Sequence, residues 1–182
     1  MQAFLKKHGE KSAYHSIKAE WTRQNRTVSL NFTVQKRDSS EWQADPAFTS
    51  DWTKNWGLWN KDVVEAFLQL RTYENDINAP YLEIQVSPLN QPFALIITEP
   101  RVTFFPPEKL ELTTESSSEG RVWKASLVIE LPKELNGDIL YGGCFSCLAL
   151  SDGTREYYSV QPNPEHTPDF HRPELFLNLD QQ

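Results

Sequence analysis

Alternation of apolar and polar side chains with a period of two residues is the feature that most limits how this chain can fold. The clearest run is at residues 27–34, where every second side chain from Val28 to Val34 is apolar. Successive side chains of a β-strand point to opposite faces, so each such run predicts a strand with one buried side. Eight or more predicted strands and no long amphipathic helix favour an all-β protein, a two-sheet antiparallel β-sandwich.

The other predicted strands are defined by the same alternation or by short apolar runs between turn residues. They are expected at residues 62–71, 81–88, 92–98, 102–105, 110–114, 122–130, 144–150, 155–160 and 173–179. Asp152-Gly153 predicts a tight hairpin between two of them. Residues 115–120 are expected to form a turn or mobile loop.

Chain length predicts a single domain over residues 1–182, because domains of roughly 100 to 200 residues are the norm. Residues 1–19 lack a clear period. They are expected to form either a loose N-terminal arm or a strand-like lead-in around residues 13–17.

Charge and hydropathy argue against two classes of partner. The chain carries 18 basic and 25 acidic residues, a net charge of −7, and no basic run longer than two residues. This composition disfavours nucleic acid and anionic membranes as partners. No apolar run approaches the about 20 residues of a membrane span, and the N-terminus lacks the apolar core of a secretory signal. A cytoplasmic location is therefore expected unless the chain has already been processed.

The cysteines and histidines do not form a recognisable metal motif. Cys144 and Cys147 lie three residues apart in a predicted strand, hence on opposite faces, so we expect buried free thiols rather than a disulfide or metal pair. His166 and His171 could coordinate a metal with Asp169, but local packing is the favoured interpretation. The residues themselves therefore predict no metal and no cofactor.

Three tryptophans, Trp52, Trp56 and Trp59, stand within eight residues of a polar segment. They are interpreted either as a stacking platform for a sugar ring or as a cap on one end of the sandwich. Glu65 and Glu83 fall on the polar sides of two neighbouring predicted strands. They are expected either to accept hydrogen bonds from vicinal hydroxyls or to be solvated.

Trp123, in contrast, is expected to be buried rather than to contact a ligand. It shares one side of residues 122–130 with Ala125, Leu127 and Ile129, and we predict that it belongs to the core.

The order of several segments resembles the DOMON-like relatives of family 9 carbohydrate-binding modules. The resemblance spans roughly residues 20–180 and rests on residues 59–68, 81–88, 122–129, 155–162 and 168–176. It implies a DOMON-like or jelly-roll-like β-sandwich without catalytic activity. It also implies a sugar held between aromatic side chains by polar residues, and a structural calcium ion in some members.

Carried over by position, the resemblance assigns aromatic and acidic residues to a ligand site. These are Trp56, Trp59, Asp62, Glu65, Glu83, Tyr157 and Tyr158. The function predicted is a non-catalytic carbohydrate-binding module. The alternative is a protein-interaction module of the same fold without a sugar site, and a less favoured hypothesis makes the two glutamates the acid and nucleophile of a retaining glycosidase. No oligomeric state is predicted.

Overall fold

The alternating segments form antiparallel strands in the computed structural model, which describes residues 1–8, 16–36, 41–162 and 168–181. Within these ranges there are thirteen strands and two single turns of 3-10 helix, Leu58–Asn60 and Pro173–Leu175. The strands are β1 (Gln2–Phe4), β2 (Lys6–Lys7), β3 (Ile17–Gln24), β4 (Thr27–Gln35), β5 (Val63–Arg71), β6 (Tyr81–Val86), β7 (Pro92–Glu99), β8 (Thr103–Phe105), β9 (Glu111–Glu119), β10 (Val122–Glu130), β11 (Ile139–Ala149), β12 (Arg155–Ser159) and β13 (Leu177–Asn178).

The strands form two antiparallel sheets, which confirms the predicted β-sandwich. One sheet has five strands in the order β1-β3-β4-β10-β9. The other has eight, in the order β2-β12-β11-β5-β6-β7-β8, with β13 paired to the start of β11. No helical turn among the described residues is long and apolar enough to cross a membrane.

The main hydrophobic core lies between the sheets and follows the predicted alternation. The apolar side of β4 meets the apolar sides of β5 and β6, so Val28 to Val34 and Val64 to Leu70 contribute every second side chain. Trp123 is fully buried there, as predicted. Its indole nitrogen donates to Ser116 Oγ at 2.7 Å, and its ring packs edge-on against Trp42 at 5.6 Å.

A second apolar layer covers the outer face of the eight-stranded sheet, and it corrects the prediction of half-buried central strands. All nine residues of β5 and all six of β6 are buried. Side chains such as Phe67 and Tyr81, on the side predicted to face solvent, pack against Leu58 and Phe176 from the segments 41–62 and 168–176. The two-residue alternation predicted which side chains of β5 and β6 share a face of the sheet, but it did not predict that both faces are covered.

Gln69 and Arg71 show how polar side chains are accommodated under this layer. The Arg71 guanidinium donates to Gln69 Oε1 and to the carbonyls of Glu74 and Pro173, at 2.6 to 2.8 Å. It also lies 3.9 Å from the centre of the Tyr141 ring. Both side chains lie on the side of β5 that the alternation leaves polar. They are hydrogen-bonded inside the protein.

Of the two alternatives predicted for the N-terminus, a loose arm or a strand-like lead-in, residues 1–8 contain strand rather than arm, because β1 pairs with β3 and β2 pairs with β12. The lead-in predicted at 13–17 lies largely outside the described residues. The loop predicted at 115–120 is instead strand up to Glu119, because β9 pairs with β10 along its whole length.

The predicted hairpin and the predicted state of the cysteines are confirmed. β11 and β12 are joined through residues 151–154, where Gly153 takes the positive φ of 83° that the turn requires. Cys144 faces the core between the sheets and Cys147 faces the outer layer; both are buried and free.

Trp123→Ala should destabilise the protein by roughly 3 to 5 kcal/mol, because it empties a fully packed site that the neighbouring strands cannot fill. Val128→Ala is the matched control, since Val128 is on the same strand and 44% exposed on the opposite face. Urea unfolding of the two variants measures the difference. Similar losses of free energy of unfolding would contradict the assignment of Trp123 to the core.

Candidate functional site

A cavity of about 410 Å³ opens on the outer face of the eight-stranded sheet, where the segments 41–62 and 168–176 do not fully cover it. Its floor is formed by side chains of β5, β6, β7, β11 and β12, and its walls by the two covering segments and the β7–β8 turn. The lining residues are Trp56, Trp59, Asn60, Glu65, Phe67, Glu83, Gln85, Leu95, Ile97, Arg101, Phe104, Cys147, Arg155, Tyr157, Pro168, Asp169, Phe170 and His171.

Aromatic rings form one wall of the cavity. Trp56 is 57% exposed, meets Trp59 edge-on at 4.9 Å and stacks on Phe104 at 5.5 Å. Phe93 supports both indoles from below, at 5.9 and 5.7 Å. The wall therefore presents flat apolar surface at the mouth while its base is held in the outer layer.

Hydrogen bonds hold the tryptophan segment against the sheet. Asn55 is fully buried and donates to the carbonyls of Thr49 and Pro92, at 2.7 and 2.6 Å. Arg155 on β12 donates to the carbonyls of Trp59, Asn60 and Lys61 at 2.6 to 3.0 Å. The segment forms no strand, so these side chains replace the pairing that a sheet neighbour would supply.

Two carboxyl groups and an amide form the polar part of the floor. Glu65 lies opposite Gln85 in the β5–β6 pairing, and Glu83 is two residues away on the same face. Glu83 Oε1 accepts a hydrogen bond from Gln85 Nε2 at 2.6 Å, and Glu65 Oε1 accepts one from the Cys147 thiol at 3.4 Å. Gln85 Oε1 is buried and has no hydrogen-bond partner among the described residues. The floor thus holds more acceptors than donors.

Burial makes both carboxyl groups hard to ionise. It raises the pKa of Glu65 to about 8, with a further contribution from the neighbouring Glu83. Burial likewise raises the pKa of Glu83 to about 7, against a smaller opposing effect of the Gln85 hydrogen bond. The two groups titrate as a pair, and near neutral pH the pair retains protons that solvated glutamates would have lost.

His171 and an ion pair close the side of the cavity next to Glu83. His171 Nδ1 hydrogen-bonds the Tyr81 hydroxyl at 2.8 Å, and its Nε2 is 3.9 Å from Glu83 Oε2. Burial lowers the pKa of His171. Arg101 forms an ion pair with Asp169 at 2.8 Å, which joins the β7–β8 turn to the C-terminal covering segment.

The structure brings five of the seven predicted site residues to this cavity: Trp56, Trp59, Glu65, Glu83 and Tyr157. The other two, Asp62 and Tyr158, are not in its lining. Tyr158 is buried between the sheets, because neighbouring residues of β12 point to opposite faces and Tyr157 occupies the outer one. Trp52 packs against the inter-sheet core rather than the cavity.

Asp62 has a structural position at the base of the tryptophan segment. It is fully buried, pairs with the Lys36 ammonium at 2.8 Å and accepts hydrogen bonds from the backbone N–H groups of Gln43 and Ala149, at 2.8 and 2.6 Å. These contacts fix the start of β5. Asp62 was predicted to bind ligand; here its carboxylate oxygens are engaged by protein groups.

Sequence reasoning missed several lining residues, among them Gln85, Phe104, Arg155 and Phe170. Gln85 had a usable signal, since it is on the same side of the predicted strand as Glu83. Phe170 and Arg155 had none, because the residues they meet are distant along the chain, Phe145 and Tyr157 for Phe170 and residues 59–61 for Arg155.

The described residues provide no binding site for a metal ion. No group of three or more His, Cys, Asp or Glu side chains in the described ranges has an arrangement that could hold a metal ion. His166, one of the predicted pair with His171, lies outside those ranges. The structural calcium ion implied by the resemblance stays a prediction.

Solved structures with the same fold are carbohydrate-binding modules. A family 9 carbohydrate-binding module from Caldicellulosiruptor kristjanssonii in complex with glucose aligns with a TM-score of 0.59 and 17% identity, over 97% of this chain and 81% of that one. Its complex with cellotriose aligns with a TM-score of 0.55 and 17% identity, over 96% and 80%. No protein-family model matches the chain, and no curated protein matches it in sequence. At this identity the likeness establishes a shared fold.

Asp62→Asn should lower the free energy of unfolding by about 3 to 5 kcal/mol, because it leaves the buried Lys36 ammonium without its counter-ion. Asp51→Asn is the matched control, since it breaks the exposed pair with Lys54. Denaturant unfolding of both variants measures the effect. Equal losses of free energy of unfolding in the two variants would show that the buried Lys36–Asp62 pair does not anchor the tryptophan segment.

Glu83→Gln should make the protein less sensitive to alkaline pH. Between the ordinary glutamate value of 4.5 and the raised values in the cavity, the folded protein holds protons that the unfolded chain has released, so stability falls as pH rises. The stability advantage of Glu83→Gln over the wild type should therefore grow from about pH 5 to about pH 8, by up to about 1.4 kcal/mol for each unit of pKa shift removed. Thermal melts across this range measure it.

Glu119→Gln serves as the control in the same melts, because Glu119 is exposed at the end of β9. Its melting temperature should track that of the wild type at every pH. If the melting temperature of Glu83→Gln changed with pH in parallel with that of the wild type, Glu83 would be ionised like a solvated glutamate.

Proposed function

We propose that the protein is a non-catalytic carbohydrate-binding module whose ligand occupies the cavity on the outer face of the eight-stranded sheet. The observation that carries the proposal is the combination of an exposed aromatic wall, Trp56 and Phe104, with a floor of hydrogen-bond acceptors, Glu65, Glu83 and Gln85. The proposal keeps five of the seven predicted ligand residues and gives Asp62 and Tyr158 structural roles.

The aromatic wall suits the apolar face of a pyranose. An indole offers a large flat surface with few rotatable bonds, so stacking costs little conformational entropy. Trp56 is additionally backed by Trp59, Phe93 and Phe104 and therefore does not have to be ordered when the ligand binds. The mouth can thus take a flat ring without rearrangement.

The floor suits the hydroxyl groups of the same ring. A sugar hydroxyl donates one hydrogen bond, and the carboxyl oxygens and the unpartnered Gln85 Oε1 are acceptors. A buried acceptor without a partner is costly, and a donating ligand would remove that cost. The volume of about 410 Å³ is within the range of small-molecule sites, which also limits how much of an oligosaccharide can enter.

The similar solved structures support the same conclusion, because those modules were observed in complex with glucose and cellotriose. The finer resemblance to DOMON-like relatives rests on the sequence segments alone and is part of the proposal.

The state of the two carboxyl groups supports binding rather than hydrolysis. A retaining glycosidase needs one ionised nucleophile beside one protonated acid, and their environments must push the two pKa values apart. Here burial raises the pKa of both Glu65 and Glu83. Neither is set apart as a carboxylate held ready for attack.

Trp56→Ala should weaken binding of glucose or a short glucan by roughly 1 to 3 kcal/mol, because it removes the exposed stacking surface while leaving the floor intact. Trp56 is largely exposed, so the thermal melt should change little. Isothermal titration calorimetry measures binding without relying on the fluorescence of the residue removed.

Tyr73→Ala is the matched control, since Tyr73 is 61% exposed and is not part of the cavity. It should bind as the wild type does. Failure of the wild type to bind any mono- or oligosaccharide at millimolar concentration would contradict the proposed function. The protein-interaction alternative would instead be supported by a partner whose binding survives both Trp56→Ala and Trp59→Ala.

A further inference from the structure

We propose that the cavity selects a sugar carrying a protonated amine, such as a 2-amino-2-deoxy sugar, over the neutral sugar of the same shape. The inference rests on the proposed sugar-binding function and deepens it. What carries it is the juxtaposition of two buried carboxyl groups and an unpartnered amide oxygen on the floor of an aromatic-walled cavity.

Acceptors outnumber donors on this floor. Glu65 and Glu83 each bring two oxygens, and Gln85 adds its buried Oε1. Among the described residues, the Gln85 amide and the Cys147 thiol donate to the two carboxyl groups, each to a single oxygen. A ligand that donates several hydrogen bonds from one atom would match this surplus. An ammonium group donates three.

The cations that the structure describes around the pair have other partners. Arg155, the cation beside Glu65, directs three hydrogen bonds to the carbonyls of residues 59–61. Arg101 is paired with Asp169 across the rim.

His171 does not supply the missing charge either. Its Nδ1 is engaged by the Tyr81 hydroxyl, and burial lowers its pKa, so the ring is neutral near pH 7. Among the described residues, the titratable and charged side chains that line the cavity with the glutamate pair are Arg101, Cys147, Arg155, Tyr157, Asp169 and His171.

The surroundings therefore favour a cationic ligand. An ammonium between the two carboxyl groups would favour their ionised form, with release of the protons they retain, and would then form charge-assisted hydrogen bonds, which are stronger than those of a neutral hydroxyl. Aromatic rings are compatible with a cation, because their faces carry negative electrostatic potential. Trp56 and Trp59 supply such rings at the wall, and Tyr157 supplies one at the floor.

A neutral sugar would fill the same volume less favourably. A hydroxyl donates one hydrogen bond and leaves two neighbouring carboxyl groups in mutual repulsion, or leaves them protonated. Glucose and glucosamine differ mainly in replacing one hydroxyl by an ammonium, so their affinity ratio isolates this effect. N-acetylglucosamine removes the charge and adds bulk at the same position.

Calorimetric titration of the full chain with glucose, glucosamine and N-acetylglucosamine at about pH 7 and constant ionic strength tests the inference. Glucosamine should bind the wild type at least about tenfold more tightly than glucose, and N-acetylglucosamine should lose that advantage. In Glu65→Gln and in Glu83→Gln the ratio of the two affinities should fall toward one. Glu119→Gln, the same replacement at an exposed residue outside the cavity lining, should keep the wild-type ratio.

The outcomes separate this inference from the proposed function. Equal affinities for glucose and glucosamine, or a ratio unchanged in both floor variants, would overturn the amine preference and leave sugar binding standing. Absence of binding by every sugar would overturn both. Glutamine is the same size as glutamate and removes a buried acid, so both floor variants are expected to fold, and their thermal melts check this.

Discussion

Burial of both faces of the two central strands, β5 and β6, is the constraint on which the rest of this structure depends. One face packs against the five-stranded sheet in the usual manner of a sandwich. The other carries Phe67 and Tyr81 together with five polar or charged side chains, and it must be covered too. The covering segments 41–62 and 168–176 do this, and the gap they leave is the cavity.

The covering segments contain almost no strand, so their backbone groups depend on side-chain anchors. Several of these hydrogen bonds involve Asp62, Asn55 and Arg155. Gln91 adds two more by donating to the carbonyls of Asp45 and Phe48 at 2.7 and 3.0 Å. Each of these side chains serves a segment that the hydrophobic effect alone could not position, since apolar burial has no direction. The aromatic wall keeps its geometry for the same reason.

Glu65 and Glu83 differ from the other charged and polar side chains on the outer face of β5. Gln69 and Arg71 on the same face are hydrogen-bonded to each other and to carbonyl groups. The two glutamates instead face the cavity beside Gln85, with burial raising the pKa of each. Perturbed carboxyl groups of this kind lower stability and are concentrated at functional sites in other proteins. This is one reason for placing the proposed ligand on the cavity floor.

The sequence by itself determined the fold class, the residues of the inner core and which side chains share a face of a sheet. Alternation at residues 27–34 and 122–130 predicted the strands and the burial of Trp123, since period two follows directly from strand geometry. It also predicted that Glu65 and Glu83 share a sheet face, and it drew attention to Trp56 and Trp59.

Only the tertiary structure decided which faces are covered and which aromatic residues meet the cavity. Tyr157 and Tyr158 are adjacent and chemically alike, yet one lines the cavity and the other fills the core, because the register of β12 sets the direction of each. Glu65 is buried because Phe170 and its neighbours, about one hundred positions away, complete the layer above it. That segment has no hydrophobic period, so no local sequence pattern predicts where it packs.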